Sequence, residues 1–185
     1  FNNFHKISDD TIDVWSKILN NSNSQIILKN PMPSSIVGEE LKLNLLKKFI
    51  ARGVEKKKIL FINRKKDFQD HLGLYNNVDV ALDTFPYPGV TTTFDAVLMG
   101  VPVLTMKGHN LNSRCGESIN INLQMQNFIA ENKDDYFNKA LSLQKEKNIL
   151  QNFGKNLREK VLKSSLFDTK DFTKSFEKTI LSLSI

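Results

Sequence analysis

The stretch "LDTFPYPGVTTTFDAVLMGVPVL", residues 82–104, decides the fold of this chain. An apolar run ends at Asp83, a loop rich in proline and glycine follows, and three consecutive threonines at 91–93 begin a short helical segment. Gly100 ends that segment, and a second apolar run begins at Val101. A strand, a loop, a helix and another strand in this order form a βαβ unit, in which the two strands lie parallel in one sheet.

The same alternation of short apolar runs and longer amphipathic segments continues on both sides of this unit. It predicts strands at residues 25–29, 58–62, 78–83, 101–106 and 128–130. It predicts helices at residues 9–20, 37–52, 67–77, 91–99, 114–124, 133–147, 149–163 and 169–183, the first with Asp9 or Asp10 as its N-cap. The apolar runs are continuous, which is typical of parallel strands covered by helices on both faces. The sequence therefore predicts one α/β domain over residues 1–185, a doubly wound, Rossmann-like parallel sheet with right-handed crossovers and a helical C-terminal tail.

Length and composition narrow the class of protein. A chain of 185 residues with 40% hydrophobic and 25% charged residues has the composition of a globular domain that buries a core. No segment approaches the roughly 18 consecutive apolar residues of a membrane span, and "FNNFHKISDD" lacks the pattern of a secretion signal. Because Cys115 is the single cysteine, an intrachain disulfide and a tetrathiolate zinc site are excluded. We expect a cytoplasmic protein without a membrane partner.

The net charge of +6 comes partly from lysine clusters in "LLKKFIARGVEKKK" (45–58) and "NRKK" (63–66). One interpretation is a nucleic-acid-binding surface, and the other is a set of solvated helix faces. Aromatic residues do not alternate with these lysines in a known nucleic-acid-binding motif, so we expect no nucleic-acid partner. A small anionic ligand would need only one or two of the lysines.

The start of the chain is unusual for this fold. The segment "FNNFHKI", residues 1–7, lies where a first strand is expected to be ending. We therefore expect the chain to be a fragment of a longer protein, cut within or just after its first strand.

The loop "FPYPGVTTT", residues 85–93, has the features of an anion site. Ligands of open parallel sheets bind beyond the carboxyl ends of the strands, which is where this loop lies. Pro86 and Pro88 stiffen it, and Gly89 allows either a close backbone approach or a positive φ. Free N–H groups at the start of the following helix, together with the threonine hydroxyls, favour phosphate.

A purely structural interpretation of these threonines stays open at this point. Thr91 is also a good helix N-cap, with its two neighbours on the surface. Asp95, one turn into the helix, would in the first interpretation accept hydrogen bonds from a ribose diol. The chain contains neither a G-x-G-x-x-G fingerprint nor a G-x-x-x-x-G-K-[ST] loop, which argues against the common dinucleotide and triphosphate sites.

Three segments together resemble one known family. "VDVALDTFPYPGVTTTFDAVLMGVPVLTMKG" (78–108), followed by "SRCGESI", is similar to the signature of the O-linked N-acetylglucosamine transferases and their SPINDLY-like relatives. "FNNFHKI" resembles the F-N-x-x-x-K-I segment of that family, and "SSLFDTKDFTKSFE" (164–177) resembles its C-terminal tail. The resemblance covers nearly the whole chain in one register.

The resemblance implies the nucleotide-sugar-binding, C-terminal half of a two-domain enzyme of the glycosyltransferase-B type. Such an enzyme is an inverting glycosyltransferase that moves N-acetylglucosamine, or another hexose, from a UDP donor to Ser/Thr or Asn side chains of proteins. The catalytic N-terminal half and the tetratricopeptide repeats that present acceptor proteins are absent, so the chain alone is expected to bind the donor weakly and to transfer nothing. No metal cofactor is expected, since no carboxylate pair of the D-x-D kind lies at a strand end.

The resemblance also assigns roles to individual residues. Lys6 matches the catalytic lysine that contacts the diphosphate of the donor, and Asn3 stands where the family often has glutamine. Thr91 and Thr92 match phosphate-binding threonines, and Asp95 matches an aspartate that binds ribose. The residues assigned to donor binding are Asn3, Lys6, Lys66, His71, Gly89, Val90, Thr91, Thr92, Thr93 and Asp95.

Three of the matches leave alternatives open, and Val90 departs from the family pattern. His71 matches a histidine near uridine, but a partly buried histidine on a helix face is an equally good interpretation of the residue itself. The lysine near the base is either Lys65 or Lys66, of which we assign Lys66. Val90 stands where well-known members carry histidine, and Arg114 matches an arginine whose role is structural as readily as functional. A different class of function, a non-catalytic module for nucleotide-sugar binding or assembly, also stays open.

Overall fold

The computed structural model describes residues 1–183, apart from the side chains of residues 147–149 and 151. Its strands are β1 (Ile26–Asn30), β2 (Ile59–Asn63), β3 (Ala81–Leu82), β4 (Val103–Met106) and β5 (Ile129–Ala130). Its α-helices are α1 (Asp9–Asn20), α2 (Ile36–Ile50), α3 (Phe68–Gly73), α4 (Thr91–Leu98), α5 (Cys115–Asn122), α6 (Lys133–Lys145), α7 (Lys147–Leu162) and α8 (Thr169–Leu183). The predicted alternation of strands and helices, ending in a helical tail, is confirmed.

All strand pairs in the described residues are parallel, as predicted. β1 pairs with β2 from Ile26 opposite Ile59, and β4 lies between β3 and β5. The structure differs from the expected continuous sheet in one respect, because the described strands form two pieces, β2–β1 and β3–β4–β5. The predicted strand 78–83 is shorter than expected, because β3 contains only Ala81 and Leu82. The predicted helix 67–77 is divided into α3 and a 3₁₀ turn at residues 74–77.

Two hydrophobic clusters place helices on both faces of the strands. One packs α1, α2 and α6 against the strands, with Ile12, Leu28, Phe49 and Tyr136 among its buried residues. The other lies under α4, α5 and α7, with its buried residues including Val97, Leu123, Leu157 and Val161. Each large apolar side chain buried in this way contributes about 1.5–3 kcal/mol to stability. The doubly wound α/β architecture therefore follows from burial on both faces.

The start of α1 differs from the prediction. Ser8, not Asp9 or Asp10, is the N-cap, and its hydroxyl accepts a hydrogen bond from the N–H of Thr11 at 3.1 Å. The two aspartates lie instead in the first turn, where a negative charge interacts favourably with the helix dipole. Serine and aspartate are both good N-caps, so the backbone conformation decides between them.

The described helices include none that is both long and apolar enough to cross a membrane.

Candidate functional site

The carboxylate of Asp83 organises the loop between β3 and α4. It is 2% exposed, and its Oδ1 accepts hydrogen bonds from the N–H of Gly89 (2.7 Å), the N–H of Thr84 (3.0 Å) and the amide of Asn2 (2.9 Å). Its Oδ2 accepts a fourth from the hydroxyl of Thr105 at 2.9 Å. Burial raises the pKa of Asp83, and the four donors oppose that rise by stabilising the carboxylate. We refer to these five residues as the Asp83 cluster.

The start of helix α1 also holds the loop between β3 and α4 in place. The hydroxyls of Ser8 and Thr11 both donate to the carbonyl oxygen of Phe85, at 2.8 and 2.9 Å. The peptide bond between Phe85 and Pro86 is cis. The loop is therefore fixed by side chains that lie more than 70 residues earlier in the chain.

Asn2 connects the beginning of the chain to the start of α4. Besides its bond to Asp83, its amide donates to the hydroxyl of Thr84 at 2.9 Å, and its Oδ1 accepts from the hydroxyl of Thr92 at 2.7 Å. The neighbouring Asn3, which the sequence predicts as a site residue, is exposed, and its Oδ1 accepts from the N–H of His5 at 3.1 Å. Asn2 is thus a contact residue of the loop that sequence reasoning missed.

The three threonines of α4 have three different environments. Val90 is the N-cap residue and provides no side-chain hydrogen bond, so the interpretation of Thr91 as the cap is wrong. Thr91 is exposed, Thr92 is half-buried, and Thr93 is 2% exposed with its N–H bonded to the carbonyl of Val90. The first N–H groups of α4 have no partner within the helix and lie at the positive end of its dipole.

Gly89 is required by close packing rather than by its φ. A Cβ atom at this position would lie 2.6 Å from the hydroxyl oxygen of Thr92, 2.8 Å from Oδ1 of Asn2 and 2.9 Å from the hydroxyl oxygen of Thr93. The glycines with positive φ are Gly53 and Gly100. Of the two reasons considered from the sequence, close approach of the backbone is the one that applies.

Lys6 lies against this loop. Its ammonium donates to the carbonyl oxygen of Pro88 at 3.0 Å and is 4.2 Å from the ring centroid of Tyr87. Pro88 is two residues before the N-cap of α4. The structure therefore brings Lys6 to the loop that leads into the threonines.

A second group of polar side chains adjoins α4, and we call Lys29, His71 and Asp95 the His71 cluster. Nε2 of His71 is 3.6 Å from Oδ2 of Asp95, and its Nδ1 is 3.3 Å from Nζ of Lys29. Because an ammonium only donates, Nδ1 is the acceptor and the ring proton lies on Nε2, facing Asp95. The side chains of His71 and Asp95 are each 14% exposed, so His71 is a partly buried histidine of α3, which agrees with both of its interpretations.

Burial and neighbouring cations shape the protonation of this cluster. Burial, followed by the charge of Lys29, lowers the pKa of His71, while Asp95 opposes the change. Burial also lowers the pKa of Lys29 to about 8, assisted by Arg64 and opposed by Asp95. His71 is therefore neutral at neutral pH, and Lys29 still carries most of its charge there.

The His71 cluster borders a cleft of about 270 Å³. Its lining includes Asn3, Lys66 and His71, three residues selected from the sequence. It also contains Lys29, Pro31, Arg64, Lys65, Asp67 and Phe68, as well as Phe1 and Asn2. The carboxylate in the lining is that of Asp67, and it accepts hydrogen bonds from the N–H groups of Gln69 and Asp70. The lining also contains four lysine or arginine side chains, those of Lys29, Arg64, Lys65 and Lys66. The cleft is therefore cationic and suits an anion.

Comparison with known proteins identifies the family. A family model described as Glycosyl transferase family 41 matches residues 1–176. The chain belongs to glycosyltransferase family 41.

Several relatives within glycosyltransferase family 41 are similar along almost the whole chain. The probable UDP-N-acetylglucosamine–peptide N-acetylglucosaminyltransferase SPINDLY of Solanum lycopersicum is 33% identical over 185 residues, which is 99% of this chain and 19% of the relative. The UDP-N-acetylglucosamine–peptide N-acetylglucosaminyltransferase of Caenorhabditis elegans is 30% identical, over 96% of this chain and 15% of the relative. The chain thus spans less than a fifth of the length of either of these curated relatives.

A solved structure supports the fold. A mutant of the O-GlcNAc transferase of Thermobaculum terrenum superposes with a TM-score of 0.87 at 29% identity, over 97% of this chain and 34% of that chain. The likeness confirms the prediction of a domain with a glycosyltransferase-B type fold.

Arg114 lies outside both clusters. It pairs with Glu117 three residues later, with hydrogen bonds of 2.9 and 3.2 Å to the two carboxylate oxygens. The side chain of Glu117 is 6% exposed, so the pair satisfies a buried carboxylate. Of the two roles left open for Arg114, this geometry favours the structural one.

Sequence reasoning also missed Asp83 and Lys29. Both are polar residues at the carboxyl ends of apolar runs, "VDVALD" and "QIILK", where the strands of a parallel sheet present their ligand-binding residues. Their position at the end of a predicted strand was the feature of the sequence that could have identified them as candidate site residues. Among the described residues there is no group of three or more His, Cys, Asp or Glu side chains that could hold a metal ion.

Proposed function

We propose that this chain is the donor-binding domain of an inverting glycosyltransferase that moves N-acetylglucosamine, or a related hexose, from a UDP-sugar to protein side chains. Membership of glycosyltransferase family 41 supports the reaction class. The observation that carries the proposal is that Lys6 and the uncapped start of α4 adjoin one loop, beside a cationic cleft.

In this proposal the diphosphate of the donor binds at the start of α4. The N–H groups of Thr91 and Thr92 have no partner within the helix, and such groups bind phosphate oxygens well. Lys6 exchanges its bond to the carbonyl of Pro88 for the diphosphate, and its charge stabilises the negative charge that grows on the departing UDP. Lys6 and the helix dipole supply the positive charge for this step, without a metal ion.

The nucleoside part of the donor occupies the cleft beside His71. Asp95 accepts a hydrogen bond from a ribose hydroxyl, and Lys66 and Phe68 line the region for the base. Because His71 is neutral and its Nε2 lies 3.6 Å from Oδ2 of Asp95, it faces that carboxylate without neutralising its charge. Thr93 and Gly89 support the loop from inside, since both are buried.

The acceptor protein, with Ser/Thr or Asn side chains as targets, binds elsewhere in the longer enzyme. The curated relatives are about five times as long as this chain, which covers 19% of the first of them. We therefore assign donor binding to residues 1–185 and expect no transfer by this chain alone.

Calorimetry with UDP on the 185-residue chain tests the proposal. Lys6→Ala is expected to weaken UDP binding by about 1.5–3 kcal/mol, the range for a hydrogen bond to a charged group. Lys47→Ala, which removes an exposed lysine of α2, serves as the matched control and should leave the affinity unchanged.

Equal UDP affinities for the Lys6→Ala variant and the unmodified chain would refute the assignment. A transfer assay with UDP-N-acetylglucosamine, performed on the longer parent protein, separates the two classes of function. If the parent binds UDP but transfers no sugar, the domain belongs to a non-catalytic module.

A further inference from the structure

The side chain of Tyr87 differs from its neighbours in the loop between β3 and α4. Thr84 and Phe85 are almost completely buried, whereas Tyr87 is 49% exposed. A half-exposed ring gains only part of the hydrophobic stabilisation that a buried ring provides. The contacts of the ring, rather than its burial, therefore account for its position.

The backbone of Tyr87 is fixed although its side chain is not buried. Tyr87 lies between Pro86 and Pro88, and a residue that precedes proline is restricted to extended conformations. The buried hydroxyl of Thr84 donates to the carbonyl oxygen of Tyr87 at 2.7 Å. The loop thus holds the ring at a defined place on the surface.

The ring of Tyr87 lies against the ammonium of Lys6. Nζ of Lys6 is 4.2 Å from the ring centroid, within the reach of about 6 Å of a cation–π interaction. The same Nζ donates to the carbonyl oxygen of Pro88 at 3.0 Å. At its other end, the lysine belongs to a 3₁₀ turn between the buried residues Phe4 and Ile7. Both ends of a normally flexible side chain are therefore held.

The two contacts of the ammonium differ in how they respond to an anion. An ammonium has three N–H donors, and the carbonyl of Pro88 takes one of them in a directional bond. The ring attracts the positive charge electrostatically and takes no single donor. An anion can therefore replace the carbonyl while the ammonium stays on the ring.

We propose that Tyr87 is a positioning residue for Lys6, whose ammonium its ring holds beside the start of α4 both before and after the diphosphate of the donor binds. The inference rests on the proposed function, in which Lys6 contacts that diphosphate. Because the lysine is already ordered in the free protein, donor binding loses less side-chain freedom. The phenol of Tyr87 does not need to touch the donor.

A double-mutant cycle, measured by calorimetry with UDP on the 185-residue chain, tests the proposal. Tyr87→Leu should weaken UDP binding by about 2–5-fold, which corresponds to an exposed cation–π contact. In the Lys6→Ala background the same substitution should have no further effect, because the ring acts through the ammonium. Tyr87→Phe keeps the ring and should lose clearly less affinity than Tyr87→Leu. Phe172→Leu, which removes an exposed ring of α8, is the matched control and should leave the affinity unchanged.

NMR of the lysine side chains provides a second measurement that a purely structural role of Tyr87 would not affect. Nuclei above the face of an aromatic ring resonate upfield of their usual position. The ε-methylene protons of Lys6 should therefore resonate upfield of those of the exposed Lys47, in the free chain and in the UDP complex. Tyr87→Phe should keep this shift, and Tyr87→Leu should abolish it.

Two results would overturn the inference. One is an equal loss of UDP affinity from Tyr87→Leu with and without Lys6, because the ring would then act on the donor or the loop independently of the lysine. The other is a Lys6 signal that loses its upfield shift when UDP saturates the protein, because the ammonium would then leave the ring.

The same cycle separates failure of this inference from failure of the proposed function. If Lys6→Ala weakens UDP binding and Tyr87→Leu does not, only the role of Tyr87 is refuted. If Lys6→Ala leaves the affinity unchanged, the proposed function is refuted, and the role of Tyr87 in donor binding is refuted with it.

Discussion

The Asp83 cluster and the His71 cluster both contact α4 or the loop that leads into it, but they are built differently. The carboxylate of Asp83 is buried, and all of its partners are hydrogen-bond donors of the protein itself. The carboxylate of Asp95 faces one histidine at 3.6 Å, and that histidine lines an open cleft together with basic side chains. One carboxylate therefore maintains the fold of the loop, and the other is the one that we propose binds the donor.

This difference predicts opposite results for the two aspartates. Asp83→Ala should lower the free energy of unfolding by about 3–5 kcal/mol, because it leaves four donors without an acceptor in the interior. Asp95→Ala should lower stability by only about 0.5–1.5 kcal/mol, the range for the loss of one hydrogen bond, and should instead weaken UDP binding. Urea unfolding and calorimetry measure the two effects, and similar losses of stability in both variants would contradict the comparison.

Substitution of two glycines tests the same difference between the tightly packed Asp83 cluster and the more open His71 cluster. Gly89→Ala should destabilise the protein by about 1–3 kcal/mol, because its Cβ would meet three side-chain oxygens within 2.9 Å. Gly73, the last residue of α3 beside the His71 cluster, has helical φ and ψ, and no atom lies within 4 Å of the position that an added methyl group would take. Gly73→Ala should therefore raise stability by about 0.4–1 kcal/mol. Thermal unfolding of both variants measures the effects, and a loss at Gly73 equal to that at Gly89 would refute the packing argument.

The sequence was sufficient for the order and type of the elements. Helix α1 lies at the predicted residues, 9–20, and β1 lies one residue later than predicted, at 26–30. Local patterns determine such elements, because burial on one or both faces leaves a period in the sequence. The sequence did not determine which residue is the N-cap of α1, because Ser8 and the two aspartates after it are all good N-cap residues.

The candidate site was predicted less completely than the fold. Lys6, His71 and Asp95 were selected because they match a family pattern, whereas Asn2, Asp83 and Lys29 were missed. The bond between Asn2 and Asp83 joins residues 81 positions apart, and that between Lys29 and His71 joins residues 42 positions apart. No local pattern specifies such contacts, because they depend on how strands and loops meet in the folded chain.

The charge of Lys29 is expected to affect the binding of UDP rather than the stability of the fold. Burial lowers the pKa of Lys29 to about 8, so most of the ammonium is lost between pH 7 and pH 9. An anion in the cleft favours the charged form, and the phosphates of UDP are already ionised above pH 7. The affinity of the 185-residue chain for UDP should therefore fall by up to about tenfold as the pH rises from 7 to 9.

Two variants test whether Lys29 causes this pH dependence. Lys29→Met is uncharged at every pH, so its UDP affinity should be weak already at pH 7 and nearly constant up to pH 9. Lys66→Met, which removes another lysine of the same cleft, should bind more weakly but keep the decrease, because Lys29 is still present. Calorimetry at pH 7, 8 and 9 distinguishes them. If Lys29→Met keeps the full decrease, the titrating group is a different one and the His71 cluster does not set the pH response of the site.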